Sequence, residues 1–523
     1  MVEDIMDTAA APLPEMDLVE MTLADVADAF ARGITAEALA AAFLERIKTY
    51  NPQYNAIIYL NESALDDARE IDRRRAAGEE LGPLAGVPVV VKDTMDMVGF
   101  PTTAGWHFLS SKAGGVDLIP ETDSPVVARI RNAGCVILGK TNVPVLSATG
   151  SHASDSWAGP TLNSAMLDRM PGGSSAGTAT AVGASLAVLG LAEETGGSIQ
   201  NPAAAQGLVG IKPTFALVPN AGVVPLAGST RDVVGPIAHC VRDAALTLDV
   251  LAGYTAEDPK TVAGIGKKPE GGYASRLSTT ALQGKRLGLY GPGWRDRSLS
   301  EDCMLLYERV QKELETRGAT LVADPFAGSG FNEIGKPAKG LDHYDPSGME
   351  SVPYDMDLYL KRLGPSAALK SFAEFAEATK AEDPFAPDGV LFFLRDLPGL
   401  WKGLENPTTP PDLPEFLAAR EAYLKILAKV MEGNRLDALI FPQMRDELPP
   451  LVGSETIHET CVCELNIAGL PGVTVPAGTY PSGAPFNIIF IGPLWSEADL
   501  LALAYDYETA TGYRKAPNLV SGQ

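Results

Sequence analysis

Between Met170 and Thr214 the chain carries two glycine–serine clusters, Gly172-Gly173-Ser174-Ser175 and Gly196-Gly197-Ser198. Serine becomes a nucleophile once a base takes its proton, and paired glycines leave backbone N–H groups open to a developing oxyanion. Upstream, Lys92 ends the apolar run Val87–Val91. At a strand end a lysine commonly snorkels its amine to water. Buried instead, it favours the neutral amine, which accepts protons near neutral pH. A second arrangement overlaps the first: Gly173-Ser174-Ser175-Ala176-Gly177 matches the Gly-x-Ser-x-Gly elbow of α/β-hydrolases, with Ser175 as nucleophile. That chemistry needs an acid and then a histidine downstream, and His239, His343 and His458 sit in no supporting motif. His152 near Asp155 invites a triad reading too, but a lone histidine in a polar loop is ordinarily solvated or structurally bonded.

Several elements must hold these residues. The small-residue segment Ala176–Leu191 has no polar face, which predicts a helix buried all round, begun by a Ser174 or Ser175 hydroxyl cap. Val87–Val91, β-branched apart from Pro88, reads as a strand buried on both faces. Pro125–Ala133 reads as a helix capped by Ser124, and Val136–Leu138 as the next strand. This strand–helix–strand alternation predicts an α/β fold with a largely parallel sheet. Upstream, Thr22–Arg32 and Thr35–Lys48 are amphipathic helices, Ala56–Leu60 a strand and Asn61–Ala77 a charged surface helix. Downstream, Val241–Tyr254, Asp302–Arg317 and Glu497–Thr511 read as helices. Ala281–Tyr290, Thr320–Ala323, Leu436–Phe441 and Val473–Pro476 have strand composition. Residues 325–430 change character, with many prolines and a series of aromatics from Phe326 through Tyr344 to Trp401. They predict an insertion with its own small core, some of whose aromatics line or cap a substrate pocket.

The serine clusters and the lysine run together resemble the amidase signature family, the Ser–cis-Ser–Lys hydrolases. In that family a Gly-Gly-Ser-Ser element precedes the serine of a Gly-x-Ser-Ile element by 24 residues, the spacing of Ser174 and Ser198. Its lysine ends a Gly-Val-Pro-x-x-x-Lys-Asp run, here Gly86 to Asp93. Gly139–Asn142, Gly210–Thr214, Asp232–Pro236 and Asn466–Pro471 follow in family order, so the likeness spans residues 20–250 and 435–515. It implies one large α/β/α domain around a mixed, largely parallel twisted sheet. That domain would span residues 19–515, after an N-terminal tail of 1–18 and with 325–430 as a variable insertion. It also implies Ser198 as nucleophile, Ser174 after a cis peptide bond as proton relay, and Lys92 as general base. Backbone N–H groups of Thr195, Gly196, Gly197 and Ser198 would form the oxyanion hole. Gly173 and Gln200 would meet the substrate, and neither metal nor other cofactor is required. Two positions depart: Ala176, where the family has Gly or Ser, and Gln200, where it usually has Arg.

Gln200 bears on the substrate. Members that take acidic substrates tend to place an arginine just after the nucleophile, where its guanidinium clamps a carboxylate. Neither Ile199-Gln200-Asn201-Pro202 nor the stretch on to Gly210 supplies a cation. The expected substrate is therefore a neutral, rather apolar small-molecule amide, aryl or alkyl, unless a distant arginine such as Arg231 folds back. The alternative within the family is an amidotransferase subunit working on aminoacyl-tRNA with partner chains.

Bulk composition narrows the classes further. At 523 residues the chain is long enough for several cores. Its 66 acidic against 42 basic residues count against unassisted binding to nucleic acid or anionic membrane, since phosphate contacts need Lys and Arg. Five scattered cysteines make no disulfide framework and suit the reducing cytosol, so a cytoplasmic protein is expected. No apolar run approaches the roughly 20 residues of a membrane span. The acidic, proline-bearing first 18 residues lack the basic start and apolar core of a signal peptide. A homodimer is left open.

Overall fold

In the computed structural model, which describes residues 16–334 and 347–521, eleven strands join into one sheet. His343, Tyr344 and the expected tail up to residue 15 lie outside the described residues. The strands are β1 (Ile57–Leu60), β2 (Pro88–Lys92), β3 (Val136–Thr141), β4 (Leu189–Glu194), β5 (Val209–Lys212) and β6 (Val233–Ala238). They continue as β7 (Arg286–Leu289), β8 (Thr320–Val322), β9 (Ala438–Pro442), β10 (Gly472–Thr479) and β11 (Pro485–Ile491). Their order across the sheet is β1-β3-β2-β4-β6-β5-β10-β11-β9-β7-β8.

The sheet is mixed, but the largely parallel pattern expected holds only near its flanks. β3, β2 and β4 run parallel, as do β9, β7 and β8. β1 pairs antiparallel with β3, and every ladder from β4 across to β9 is antiparallel. The connections explain this. A crossover containing the helix Pro125–Asn132 returns the chain from β2 to lie parallel in β3, whereas β10 and β11 are joined by a short turn.

β2, β3 and β4 are buried along their whole length, as strands covered on both faces must be, which is why they lack an apolar–polar alternation. Around them the caps expected from sequence form. Thr22 and Thr35 accept from the N–H groups of Asp25 and Ala38, and Ser124 accepts from Val127. The second helix runs past Lys48 to the buried ring of Tyr54 and stops at Asn55, which is left-handed.

Ala176–Leu191 is not one helix. It is helical over Ala176–Gly183, turns, and enters β4 at Leu189. Both pieces are buried on every side, so neither shows a period that would tell helix from strand. Gly177 shows why the residues are small: a Cβ there would lie 2.4 Å from the backbone N of Asn142, just after β3. Neither serine caps this helix through its hydroxyl. Ser175 Oγ instead donates to the Glu193 carbonyl at 3.2 Å.

The aromatic-rich region does not keep a core to itself. Tyr359, Phe372, Phe375 and Phe385 pack with Trp106, Leu109, Leu146 and Leu226, from loops near the parallel strands. Phe326 and Phe331 close on Trp294, and Phe416 and Tyr423 join them beside Phe441 of β9 and Ile489 of β11. Among the described residues no helix is long and apolar enough to cross a membrane.

Candidate active site

Two parallel neighbours, β2 and β4, bring the chemistry together. β2 ends on Lys92, which is wholly buried, and β4 ends on Glu193 and Glu194 before the turn Thr195–Ser198. The helix Ala176–Gly183 packs against both strands, and the chain enters it through a cis Gly173–Ser174 peptide bond. Ser174 is thereby set at the lysine: Lys92 Nζ donates to Ser174 Oγ at 2.7 Å. The same amine donates to Glu193 Oε2 at 2.7 Å and to the Glu193 carbonyl at 3.2 Å. Thr94 Oγ1 donates to that carboxylate as well, at 3.3 Å.

Two effects oppose each other on Lys92. Burial pulls its pKa below the ordinary lysine value, and the Glu193 carboxylate, with Asp232 and Glu194 behind it, pushes back. Burial is the larger, so the amine loses its proton more readily than a lysine in water. Asp232 stands one hydroxyl further away, accepting from Thr195 Oγ1 at 2.5 Å. Burial, reinforced by the Glu193 charge, pushes its carboxyl up to about 7.

Ser174 and Ser198 open onto one cavity of about 220 Å³, with Gly173, Thr195 and Gly196 in its lining. Among the described residues the N–H groups of Gly196, Gly197 and Ser198 donate to no protein acceptor, so they are free to meet an oxyanion. Gly197 adopts φ +96°, a turn conformation that favours glycine. The far side of the cavity includes Asn201, Arg231, Met349, Phe393 and Glu459. Asn201 Nδ2 donates to Glu459 Oε1 at 2.6 Å and to Ser151 Oγ at 3.1 Å. A larger concavity, about 660 Å³, lies between the 220–232 and 256–260 loops and the helix Val352–Arg362, away from the serines.

Several expectations need correction here. Gln200 does not line the cavity. It is fully buried, its Nε2 donating to Glu194 Oε1 at 2.5 Å and its Oε1 accepting from Gln443 Nε2 at 3.4 Å. Its residue type answers a buried carboxylate rather than a substrate. Nor is the cavity free of cations: Arg231 folds back into its lining, the case for which a neutral, apolar substrate was not expected. Of the aromatics in the late region only Phe393 reaches the cavity among the described residues. Tyr359, Phe372, Phe375 and Phe385 are core.

Sequence reasoning missed Glu193 altogether. A signal was present: two adjacent carboxylates in an otherwise apolar run must find partners when buried. The rival sites do not assemble. Ser175 is fully buried with its hydroxyl on a carbonyl, Asp155 accepts from Thr149 Oγ1 at 2.9 Å, and His239 Nε2 meets the Val182 carbonyl at 2.7 Å. Among the described residues His152 Nε2 has no partner, and His458 pairs with Asp446 on the surface.

Residues 38–327, more than half of the chain, match the family model described as Amidase. A glutamyl-tRNA(Gln) amidotransferase subunit of Salinispora tropica is 42% identical over 515 residues, covering 96% of this chain and 100% of that relative. A probable amidase of Arabidopsis thaliana is 31% identical over 517 residues, with 96% and 92% covered. The native peptide amidase from Stenotrophomonas maltophilia has a TM-score of 0.77 at 30% identity, with 97% and 100% covered. The chain belongs to the amidase signature family.

Proposed function

We propose that this protein hydrolyses linear carboxylic amides through an acyl-enzyme on Ser198. The observation that carries the reading is the 2.7 Å contact between Lys92 Nζ and Ser174 Oγ, beside a cavity that Ser174 and Ser198 share. Neutral Lys92 takes the proton of Ser174, Ser174 takes that of Ser198, and Ser198 Oγ attacks the carbonyl carbon. The oxygen becomes negative and is met by N–H groups of the Thr195–Ser198 turn, where losing one donor typically costs roughly 10²–10³ in rate. The proton returns through Ser174 to the amine as the C–N bond breaks. Water, deprotonated along the same path, then releases the acid. A cytoplasmic setting suits the five free cysteines.

Ser198→Ala should lose roughly 10⁴-fold or more in kcat, with an unchanged circular dichroism spectrum. Mass spectrometry of the wild type with an activated ester should find the acyl group on the Ser198 peptide. Wild-type turnover in Ser198→Ala would sink the reading, and loss in Ser175→Ala alone would move the nucleophile to the elbow.

The 42% identical Salinispora tropica relative favours a second reading, in which the same site serves an amidotransferase with partner chains. The purified chain separates the two. Turnover that needs no added partner supports the free-standing hydrolase, and turnover only with co-purified chains supports the amidotransferase.

A further inference from the structure

Among the described residues Arg231 is the one cation lining the active-site cavity, and it is only 6% exposed. Its Nε donates to the Thr195 carbonyl at 3.0 Å and its Nη1 to the Ser347 carbonyl at 3.5 Å. Among the described residues it forms no ion pair, and its Nη2 donates to no protein acceptor. That nitrogen lies 3.2 Å from where a Cβ on Gly196 would stand, beside the turn that carries Ser198.

Other buried cations are placed differently. Lys92 lies 2.7 Å from Glu193 and Lys140 2.8 Å from Asp93. Lys212 has only carbonyl partners, but burial pulls its amine down to about 8, so it can shed its charge. A guanidinium cannot. Among the described residues Arg231 Nη2 thus has no protein acceptor, and a buried positive charge is costly until it is paired. Neither acid nearby answers it. Asp232 accepts from Thr195 Oγ1 and from the N–H groups of Leu226 and Ala227. Glu459 accepts from Asn201, and burial pushes it toward the neutral acid.

We propose that Arg231 binds a carboxylate of the substrate, so that the preferred substrates are short amides whose acyl part carries a free carboxylate. The proposal rests on the hydrolytic reading of the same cavity. The end of a guanidinium presents parallel N–H groups that match a carboxylate. A carboxylate held at Nη2 stands next to the turn that faces the scissile carbonyl. The cavity, about 220 Å³, falls below the roughly 300–1,000 Å³ of drug-sized ligand sites, which keeps the acyl part short.

Succinamate and butyramide, alike except for the carboxylate, test this. Wild-type kcat/KM should favour succinamate by about tenfold or more. In Arg231→Gln the ratio should collapse to about one, and Arg231→Lys should keep part of it, as a point charge without the fork. Calorimetric titration of Ser198→Ala with both amides reads binding without turnover. Tighter binding of succinamate, lost in the Ser198→Ala/Arg231→Gln double variant, upholds the carboxylate site even if no amide is hydrolysed. Hydrolysis of butyramide with no preference for succinamate overturns it and leaves the hydrolytic reading standing. An unchanged ratio in Arg231→Gln overturns it as well. If Arg231→Gln does not fold, an undiminished succinamate preference in Arg231→Lys does the same.

Discussion

The segment 170–214, which holds Ser174 and Ser198, and the covering segment 347–430 are buried by opposite means. In the first, backbone meets backbone: helix and strand touch through Gly, Ala and Thr, and a Cβ on Gly190 would come within 2.5 Å of Thr178 Cγ2. In the second, rings interdigitate with loops from elsewhere, leaving Phe392, Phe393 and Trp401 half-exposed. Close backbone packing holds a nucleophile and its donors in one geometry and tolerates no added atom. Ring packing excludes water but leaves the surface of the cover free to differ. In the proposed mechanism the first region carries the chemistry, while the second contributes Met349 and Phe393 to the cavity lining.

The difference can be broken at its strongest point. Lys92→Met should lose roughly 10³–10⁴-fold in kcat/KM, since it removes the proposed base. It should also cost about 1–3 kcal/mol of stability, because the buried Glu193 carboxylate loses the amine that donates to it. Denaturant unfolding of Lys92→Met beside Ser198→Ala checks this, with only the former expected to unfold early. Equal midpoints would mean that Glu193 finds another partner.

In the cover, Phe375→Ala should cost about 3–5 kcal/mol through the cavity it leaves, because Phe375 is 2% exposed. Below its unfolding midpoint kcat should stay within about threefold of wild type, as that ring touches no group that moves a proton. A kcat loss on the scale of Lys92→Met would erase the contrast between the regions.

A subtler change sharpens it. Glu193→Gln removes a charge that raises the Lys92 pKa while burial still lowers it. The amine then loses its proton at lower pH, and the acid limb of kcat/KM should move down by about one pH unit. A limb that moves up, or stays, would show that Lys92 is not the group titrating. Smallest of all, Phe393→Ala should change stability by only about 0.5 kcal/mol, the ring being 42% exposed, and should show itself in KM. A change confined to kcat would place Phe393 nearer the chemistry than the cavity lining does.

Much of this was legible in residue order, for local reasons. Thr22, Thr35 and Ser124 cap helices because a hydroxyl beside a free N–H needs nothing distant. The Val-rich run before Lys92 had to be a doubly covered strand, since no face of it could meet water. Resemblance to the amidase signature family, carried by the 24-residue spacing and the Gly86–Asp93 run, implied Ser174, Ser198 and Lys92 as candidates. Where local signals were silent, expectation failed. Ala176–Leu191, apolar on all sides, carries no period, and only pairing with β2 and β6 marks where its strand begins. The antiparallel centre of the sheet comes from long-range pairings such as β5 with β10, some 260 residues apart, which no local pattern encodes.

The same division runs through the site. Residue types offered serines beside paired glycines and a lysine at a strand end, and the resemblance to the amidase signature family implied Lys92, Ser174 and Ser198 for acyl transfer. Only the tertiary structure decided what surrounds them: Glu193 on Lys92, Glu194 on Gln200, and Arg231 in the cavity. Charge and burial act through space across tens of residues of chain, so a partner's identity depends on which faces the fold brings together.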